Sequence, residues 1–462
     1  MNLLRITQNE CPMRELFSPL MVFRTGKRVT CFPHPISESF QHFLKVSFLA
    51  MVLILFPFWG KIAWGIDHDL KIETSVQFFV FPYPGKGDQD EFVSSVQVKP
   101  DLALFFSESL QLTVAPRFRV GITDPEYHLF SPDDIYLEYV RESYEFRFGY
   151  QTFFWGTVES ANIVDILNQE DYIGDFFDPD KLGEPSLRAR FLIGENRFDF
   201  FQFFYFTPAP IPGKVNRFNF FDGTRNISGD AIYTHSAKRF RQQFALRWER
   251  TFGSADVGLS YFNGYEKFPI IFLAPGEENA QVFYYEMQQA GVDLQMSLGN
   301  WLIKGETLFQ ETGAAGILDR SRLLPNGAVV TQNLVPEDHA ALVGGVEYTF
   351  FGVLGNSDLG MLGEYLYDSE QSLDAVAFRP FQNDLFMGFR WSRNNSGDGE
   401  ILWGVTLDLK EQSQIWRVEY SERFFERIKL MVRADIIDAD PKDPISGFNN
   451  DDRFSWELLY VF

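Results

Sequence analysis

The sequence predicts an all-β chain, a single transmembrane antiparallel β-barrel of eighteen strands, with sixteen as the alternative count if one faint early strand is misread. Three observations predict it. From Leu70 to Phe462, segments of about ten residues alternate apolar and polar side chains with period two. The apolar faces end in aromatics while the polar faces carry large charged residues. The links between segments also alternate, short and long. Period two alone also suits a soluble sandwich with one face on a core, so the ionic character of the second face is what separates the two.

The chain begins with a different kind of segment. Residues 46–59 are apolar and are followed by Lys61-Ile62-Ala63-Trp64-Gly65; the run has about the length of a signal-peptide core and falls short of the ~20 residues a spanning helix needs. Lys45 precedes it, with Arg24, Lys27 and Arg28 further upstream, and Ala63 and Gly65 place small residues ahead of a cut before Ile66. The reading is a leader over residues 1–65 and a barrel over residues 66–462, an uncleaved membrane anchor being the alternative. Residues before about Met21 read poorly as the start of such a signal, consistent with an upstream start codon or a long leader. Both cysteines, Cys11 and Cys31, lie before the expected cut, which leaves no disulfide framework or thiolate metal site downstream.

Composition narrows the function classes. Of 462 residues, 23% are charged and 45% hydrophobic, which fits neither a disordered chain nor a helical membrane protein. Aromatics reach 17%, led by 51 Phe, more than one soluble core uses. Loss of the leader's seven basic and three acidic residues moves the net charge from −22 to −26, which argues against a nucleic-acid partner. An acidic surface suits loops that face divalent-rich anionic lipid, such as lipopolysaccharide.

The strands follow in order. Leu112, Val114, Pro116, Phe118, Val120 and Ile122 share one face of an early segment, and Thr113, Ala115, Arg117, Arg119 and Gly121 the other. Tyr144, Phe146, Phe148 and Tyr150 alternate with Glu145, Arg147, Gly149 and Gln151; near the end Ile428, Leu430, Val432 and Ala434 alternate with Lys429, Met431, Arg433 and Asp435. Short links are read near 107–110, 142–143, 194–196, 253–256, 299–300, 352–357, 393–399 and 421–426. Long ones are read near 82–91, 124–134, 157–183, 207–238, 265–280, 312–339, 369–383 and 441–452, with 411–413 short where a long one is due. An even strand number places both chain ends on the periplasmic side, and closure removes edges that hydrocarbon would leave unpaired. The last segment puts Phe454, Trp456, Leu458, Tyr460 and Phe462 on one face. With its aromatic terminus it resembles the C-terminal signal by which bacterial outer-membrane barrels are recognised by their assembly machinery.

A further resemblance rests on Gly149-Tyr150-Gln151-Thr152-Phe153-Phe154-Trp155-Gly156 and Asp165-Ile166-Leu167-Asn168-Gln169-Glu170-Asp171-Tyr172. These resemble the G-x-Q…W-G…(D/N)-x-(I/L)-N-P-x-D signature of a large, uncharacterised family of porin-like outer-membrane proteins of Gram-negative bacteria, with Gln169 standing where that pattern has proline. Phe203 to Phe206, then Thr207-Pro208-Ala209-Pro210-Ile211-Pro212 and Arg217-Phe218, resemble the family's aromatic strand running into a proline-rich loop. The resemblance covers roughly residues 147–220; it implies a large outer-membrane barrel and brings no agreed substrate.

A barrel of this size encloses a lumen too wide for its wall side chains to fill. Inward residues and any loop folded inside are therefore the functional candidates. The polar faces give Arg117, Arg119, Arg147, Arg188, Arg190, Arg247, Arg390, Arg417 and Arg433, with Lys429, and the acids Glu138, Glu145, Glu249, Glu347, Glu419 and Glu457. These charges either pair across strands and keep the wall solvated, or form a constriction that selects solutes by charge, where arginine forks favour carboxylates. Residues 157–183 are the best constriction loop, with Glu159, Asp165, Asn168 and Asp171 on a polar surface and a short helical turn expected over 163–167; an external loop capped by Asn168 and Asp171 is the other reading. Asp175, Asp178 and Asp180 suggest a calcium site but lack the ligand count and glycine spacing of a known loop.

Downstream of the leader the only histidines are His68, His128, His235 and His339, none with the spacing of an outer-membrane hydrolase, and each reads as a surface histidine. The expectation is a non-enzymatic channel without cofactors, passing small solutes. The alternatives are the outer-membrane component of a specific transport or export system with a lipidic or anionic substrate, and a structural or adhesive barrel with a closed lumen. A plugged receptor is not expected, since residues 66–70 leave no room for a plug domain.

Overall fold

The computed structural model describes residues 67–462, apart from 88, 222, 314–318, 324–328, 334–335, 354 and 371–378. The expected leader, its cut before Ile66 and both cysteines lie outside the described residues.

Eighteen antiparallel strands form one closed sheet. They are β1 (Asp67–Val80), β2 (Phe92–Ser107), β3 (Leu110–Gly121), β4 (Leu129–Val140), β5 (Tyr144–Gln151), β6 (Glu184–Ile193), β7 (Asn196–Phe203), β8 (Gln243–Phe252), β9 (Ala255–Tyr265), β10 (Glu286–Leu298), β11 (Trp301–Thr312), β12 (His339–Val353), β13 (Ser357–Asp368), β14 (Asn383–Ser392), β15 (Glu400–Asp408), β16 (Gln414–Phe424), β17 (Ile428–Asp438) and β18 (Arg453–Val461). Each pairs with its chain neighbour, and β18 closes on β1 in a register running from Glu73 opposite Val461 to Val80 opposite Phe454. No edge is left open, the condition a sheet must meet in hydrocarbon.

The side-chain alternation decides which face is which. Phe130 and Phe148 are 62% and 60% exposed on the outside, whereas Arg117 and Glu184 are 1% and 0% exposed within. The outward face also carries Trp456, Leu458 and Phe462 of the last strand, with Trp456 stacked on Phe78 of β1 and Tyr460 edge-on to Phe462. Apolar outside and ionic inside inverts a soluble fold and is the arrangement of a membrane-spanning barrel. Pro116, which has no N–H to offer, coincides with a register shift between β3 and β4.

One end of the barrel has tight turns. Gly194, Gly253 and Gly299 adopt left-handed φ of 61°, 62° and 63° there. The other end has the long links, except for the short 409–413 that the sequence already showed. Two elements in the long links were not anticipated. Ile227–Tyr233, Ile270–Phe272 and Ala280–Tyr284 form a small sheet in which the first and last pair in parallel, and Asp319–Leu323 pairs with Val329–Asn333. Parallel pairing between segments this far apart leaves no local signal, because neither strand is joined to the other by a tight turn.

Candidate functional site

The link from β5 to β6 does not stay outside the barrel; it crosses the lumen. Asn168 closes its neck. The Asn168 side-chain carbonyl accepts the Phe153 N–H at 2.8 Å, and its amide donates to the carbonyl oxygens of Gln151 and Leu182 at 2.9 and 2.8 Å. A short ladder beside it pairs residues 169–171 with 180–182, with Leu182 N–H on the Gln169 carbonyl and Asp171 N–H on the Asp180 carbonyl. The expected helical turn over 163–167 is absent. Asp165 N–H bonds the Asn162 carbonyl in a tight turn instead, and the Val164 N–H is taken by a wall carboxylate, so no helical ladder forms around the β-branched Ile163, Val164 and Ile166.

Beyond the neck the loop has two parts. The return limb, residues 171–181, meets a basic wall. Arg119 of β3 pairs with Asp171 at 2.5 Å, both side chains nearly inaccessible. Arg117 pairs with Asp180 and, at 3.0 Å, with Asp133 of β4. Arg433 of β17 holds Asp175 and Asp178, Arg453 of β18 reaches Asp175 at 2.7 Å, and Arg417 of β16 lies 3.9 Å from Asp178. The acids proposed for calcium are thus consumed by arginines, and among the described residues no cluster of acids and histidines has the geometry to hold a metal. An aromatic roof covers this limb: the Phe176 ring contacts Phe218 at 5.7 Å and Phe448 at 5.0 Å, joining the loop to two long external links.

The other part is a lobe, residues 157–164, which lies against β11, β13 and β14 on the far wall. Glu306 of β11 accepts the N–H groups of Thr157, Val158 and Val164 at 2.6, 3.3 and 3.3 Å. Glu364 of β13 accepts the N–H of Glu159 at 3.0 Å and, from Ser160, the N–H at 2.8 Å and the hydroxyl at 2.6 Å. In return, the Glu159 carboxylate takes Lys304 at 2.9 Å and Arg390 at 3.1 Å. Burial works against that carboxylate, but Lys304 and Arg390 outweigh it and hold Glu159 below the ordinary range. For Asp165 burial wins and raises the carboxyl, against the pull of Lys181.

On the short-turn side of the loop a continuous ion-pair ladder runs from β4 to β10. Arg147 pairs with Glu138 and Glu145, Arg188 with Glu145, Arg190 with Asp199 at 2.7 Å, Arg197 with Asp199 and Glu249, and Arg247 with Glu249 and, at 2.8 Å, with Asp293. A cavity of about 340 Å³ lies there, bordered by Thr157, Arg197, Arg247, Arg250 and Asp293. Between loop and wall the lumen also holds an apolar core, in which Trp155, Val164 and Leu167 pack on Phe201, Phe262 and Phe283. Lys267, beyond the end of β9, is buried beside Glu184 at 3.4 Å and over the rings of Phe203, Phe206 and Phe262; burial pushes its ammonium below the ordinary value.

Comparison with solved structures places this architecture. Acinetobacter baumannii OccAB1 aligns over 86% of this chain and 96% of its own at a TM-score of 0.50, with 10% identity. The likeness is one of fold. Pseudomonas aeruginosa OccK2 (OpdF), solved in complex with glucuronate, aligns over 87% and 99% at 0.48 with 12% identity, and a BenF-like porin from Pseudomonas fluorescens Pf-5 over 86% and 98% at 0.48 with 10% identity. No family model matches the chain, and no curated protein does.

The arginines picked from alternation divide by what they hold, Arg390 meeting Glu159 of the lobe and the others falling in two groups. Arg117, Arg119, Arg417 and Arg433 anchor the return limb, whereas Arg147, Arg188, Arg190, Arg247 and Glu145 form the ladder. Glu159, Asp165, Asn168 and Asp171 all take part in holding the loop. The signature residues Gly149 and Gly156 have physical reasons too: a Cβ would lie 2.2 Å from the Ile135 carbonyl oxygen at the first and 2.2 Å from the Asn162 side chain at the second. Glu306, Glu364, Lys304, Glu184 and Lys267 went unselected, because a charged residue at an inward position looks the same whether it meets water or a loop. Among the histidines, His339 departs from the surface reading. It is 3% exposed, at the end of β12 between Asp368 and Arg379, because that end of the strand is covered from within.

Proposed function

We propose that the protein is a channel of the bacterial outer membrane that passes small solutes through a charged lumen narrowed by the loop between β5 and β6. The single observation that carries this reading is a closed barrel, greasy outside and ionic inside, whose own loop is pinned across the bore. The polypeptide adds no chemistry; it selects by width and by wall charge. The ladder arginines with lumen exposure, Arg147, Arg190 and Arg197, are the groups that meet a passing solute, and their forks favour anionic ones. Arg117 and Arg119 are committed to the loop and fall outside that role. Export by a cleaved leader, recognition of β18 by the assembly machinery through Trp456, Leu458, Tyr460 and Phe462, and contact of the acidic loops with lipopolysaccharide complete the proposal.

The extent of filling favours a selective passage over a general one. The roof around Phe176 and the apolar core around Leu167 take up lumen that a wide pore leaves to water. Planar-bilayer recording of the purified protein tests the reading. Steady single-channel conductance is expected, and replacing Arg190 and Arg197 by Glu should move the reversal potential toward cation preference. Silence of the folded protein would remove the channel, and an unmoved reversal potential would remove the arginine filter.

A further inference from the structure

We infer that the moving part of the loop is the lobe of residues 157–164 alone, and that Glu306 and Glu364 are its latch. The inference rests on the channel reading above and names its regulation. The lobe is a separate unit by construction. Its two ends are drawn together where the Trp155 N–H donates to Asp165 at 3.3 Å, and Asp165 is in turn held by Lys181. It leaves that clamp through Gly156, whose φ of 144° is one that side-chain-bearing residues rarely adopt.

What holds the lobe differs in kind from what holds the rest. Its main-chain N–H groups and the Ser160 hydroxyl bond two wall carboxylates that the seated lobe buries, and once it lifts, both sides present groups that lumen water can hydrate. The return limb has no such escape, because Arg119 and Asp171 lie under the aromatic roof and would be left as bare buried charges. Val164, at its far end, is fixed in the core around Leu167, whereas the rest of the lobe has Val158 with Ala161 and Ile163 against Val343, Leu366, Phe381 and Phe386. Space lies on both sides of it: the cavity of about 340 Å³ reaches Gly156 and Thr157, and another of about 160 Å³ reaches Ala161 and Ile163. Movement of the lobe off β11 and β13 widens the bore along that wall while the return limb stays in place.

The test uses the mature chain, in which Ala161→Cys provides the one thiol once Cys11 and Cys31 are removed with the leader or replaced. Ala161 donates no side-chain bond, so the substitution leaves the latch intact. Its reaction rate with a small charged thiol reagent is measured alone and with Glu306→Gln and Glu364→Gln, alongside single-channel current. Loss of the two carboxylates should raise the labelling rate about tenfold, and modification should reduce the current. Should the double variant not assemble, Ser160→Ala, which keeps both carboxylates, is expected to shift the rate in the same direction by a smaller factor. Rates that stay equal in folded protein overturn the latch. A parent protein without current overturns the channel reading instead, and the labelling rate still decides the lobe.

Discussion

The two parts of the loop are held to opposite walls with reversed polarity. The return limb offers carboxylates to wall guanidiniums; the lobe offers mostly amides to wall carboxylates. Both count as polar anchoring, yet their energetics differ. An ion pair under the aromatic roof is costly to break because each partner is stranded, whereas the lobe's amides and their carboxylates, buried while the lobe is seated, meet lumen water once it lifts. What the separated groups meet, more than the number of charges, decides which part of a loop is fixed.

The contrast can be broken most severely at the fixed part. Asp171→Ala strands Arg119 and should cost about 3–5 kcal/mol of loop stability, read as trypsin cleavage near Lys181 in folded protein. If the loop stays resistant, the return limb is not fixed by this pair. Asn168→Ala removes the neck's three bonds and should cost about 2–3 kcal/mol, loosening both parts together; loosening of one alone would show that the neck does not join them. Ser160→Ala should cost about 1.5 kcal/mol, seen as faster hydrogen exchange confined to the lobe.

The smallest effect is one of pH. With a carboxyl held below its ordinary value, the Glu159 contribution is fully present above the unfolded value near about 4.3 and is lost only as pH falls through the lower folded value. Its pH response also reflects Lys304 and Glu347, Arg390, Glu364 and Glu400 around it. The difference in single-channel noise between the parent and Glu159→Gln should therefore stay level as pH falls toward about 4 and change below it. A difference that already changes near neutrality would assign the response to a group other than Glu159.

Much of the barrel was legible because period two carries its own meaning in a membrane: Phe146 and Phe148 on one face and Glu145 and Arg147 on the other leave one way to face lipid. Strand number followed from the alternating links, and the loop's position from the residues between Gly149 and Tyr172. Its partners were not legible. Nothing local distinguishes Glu306 on β11 from Glu145 on β5, although one meets main-chain amides and the other arginines. The buried Lys267–Glu184 pair joins residues from distant parts of the chain, and His339 is covered by Arg379, which follows it by a whole hairpin.

The seam has a consequence of its own. The Phe462 N–H bonds the Ile72 carbonyl, so the ring is completed by its earliest and latest strands together. Until the final segment has been synthesised, two rows of unsatisfied peptide groups face outward, and no shorter chain can satisfy both. A cut that removes only β18 would thus forfeit the whole cylinder, making the finished molecule all-or-none with respect to its last nine residues in sheet.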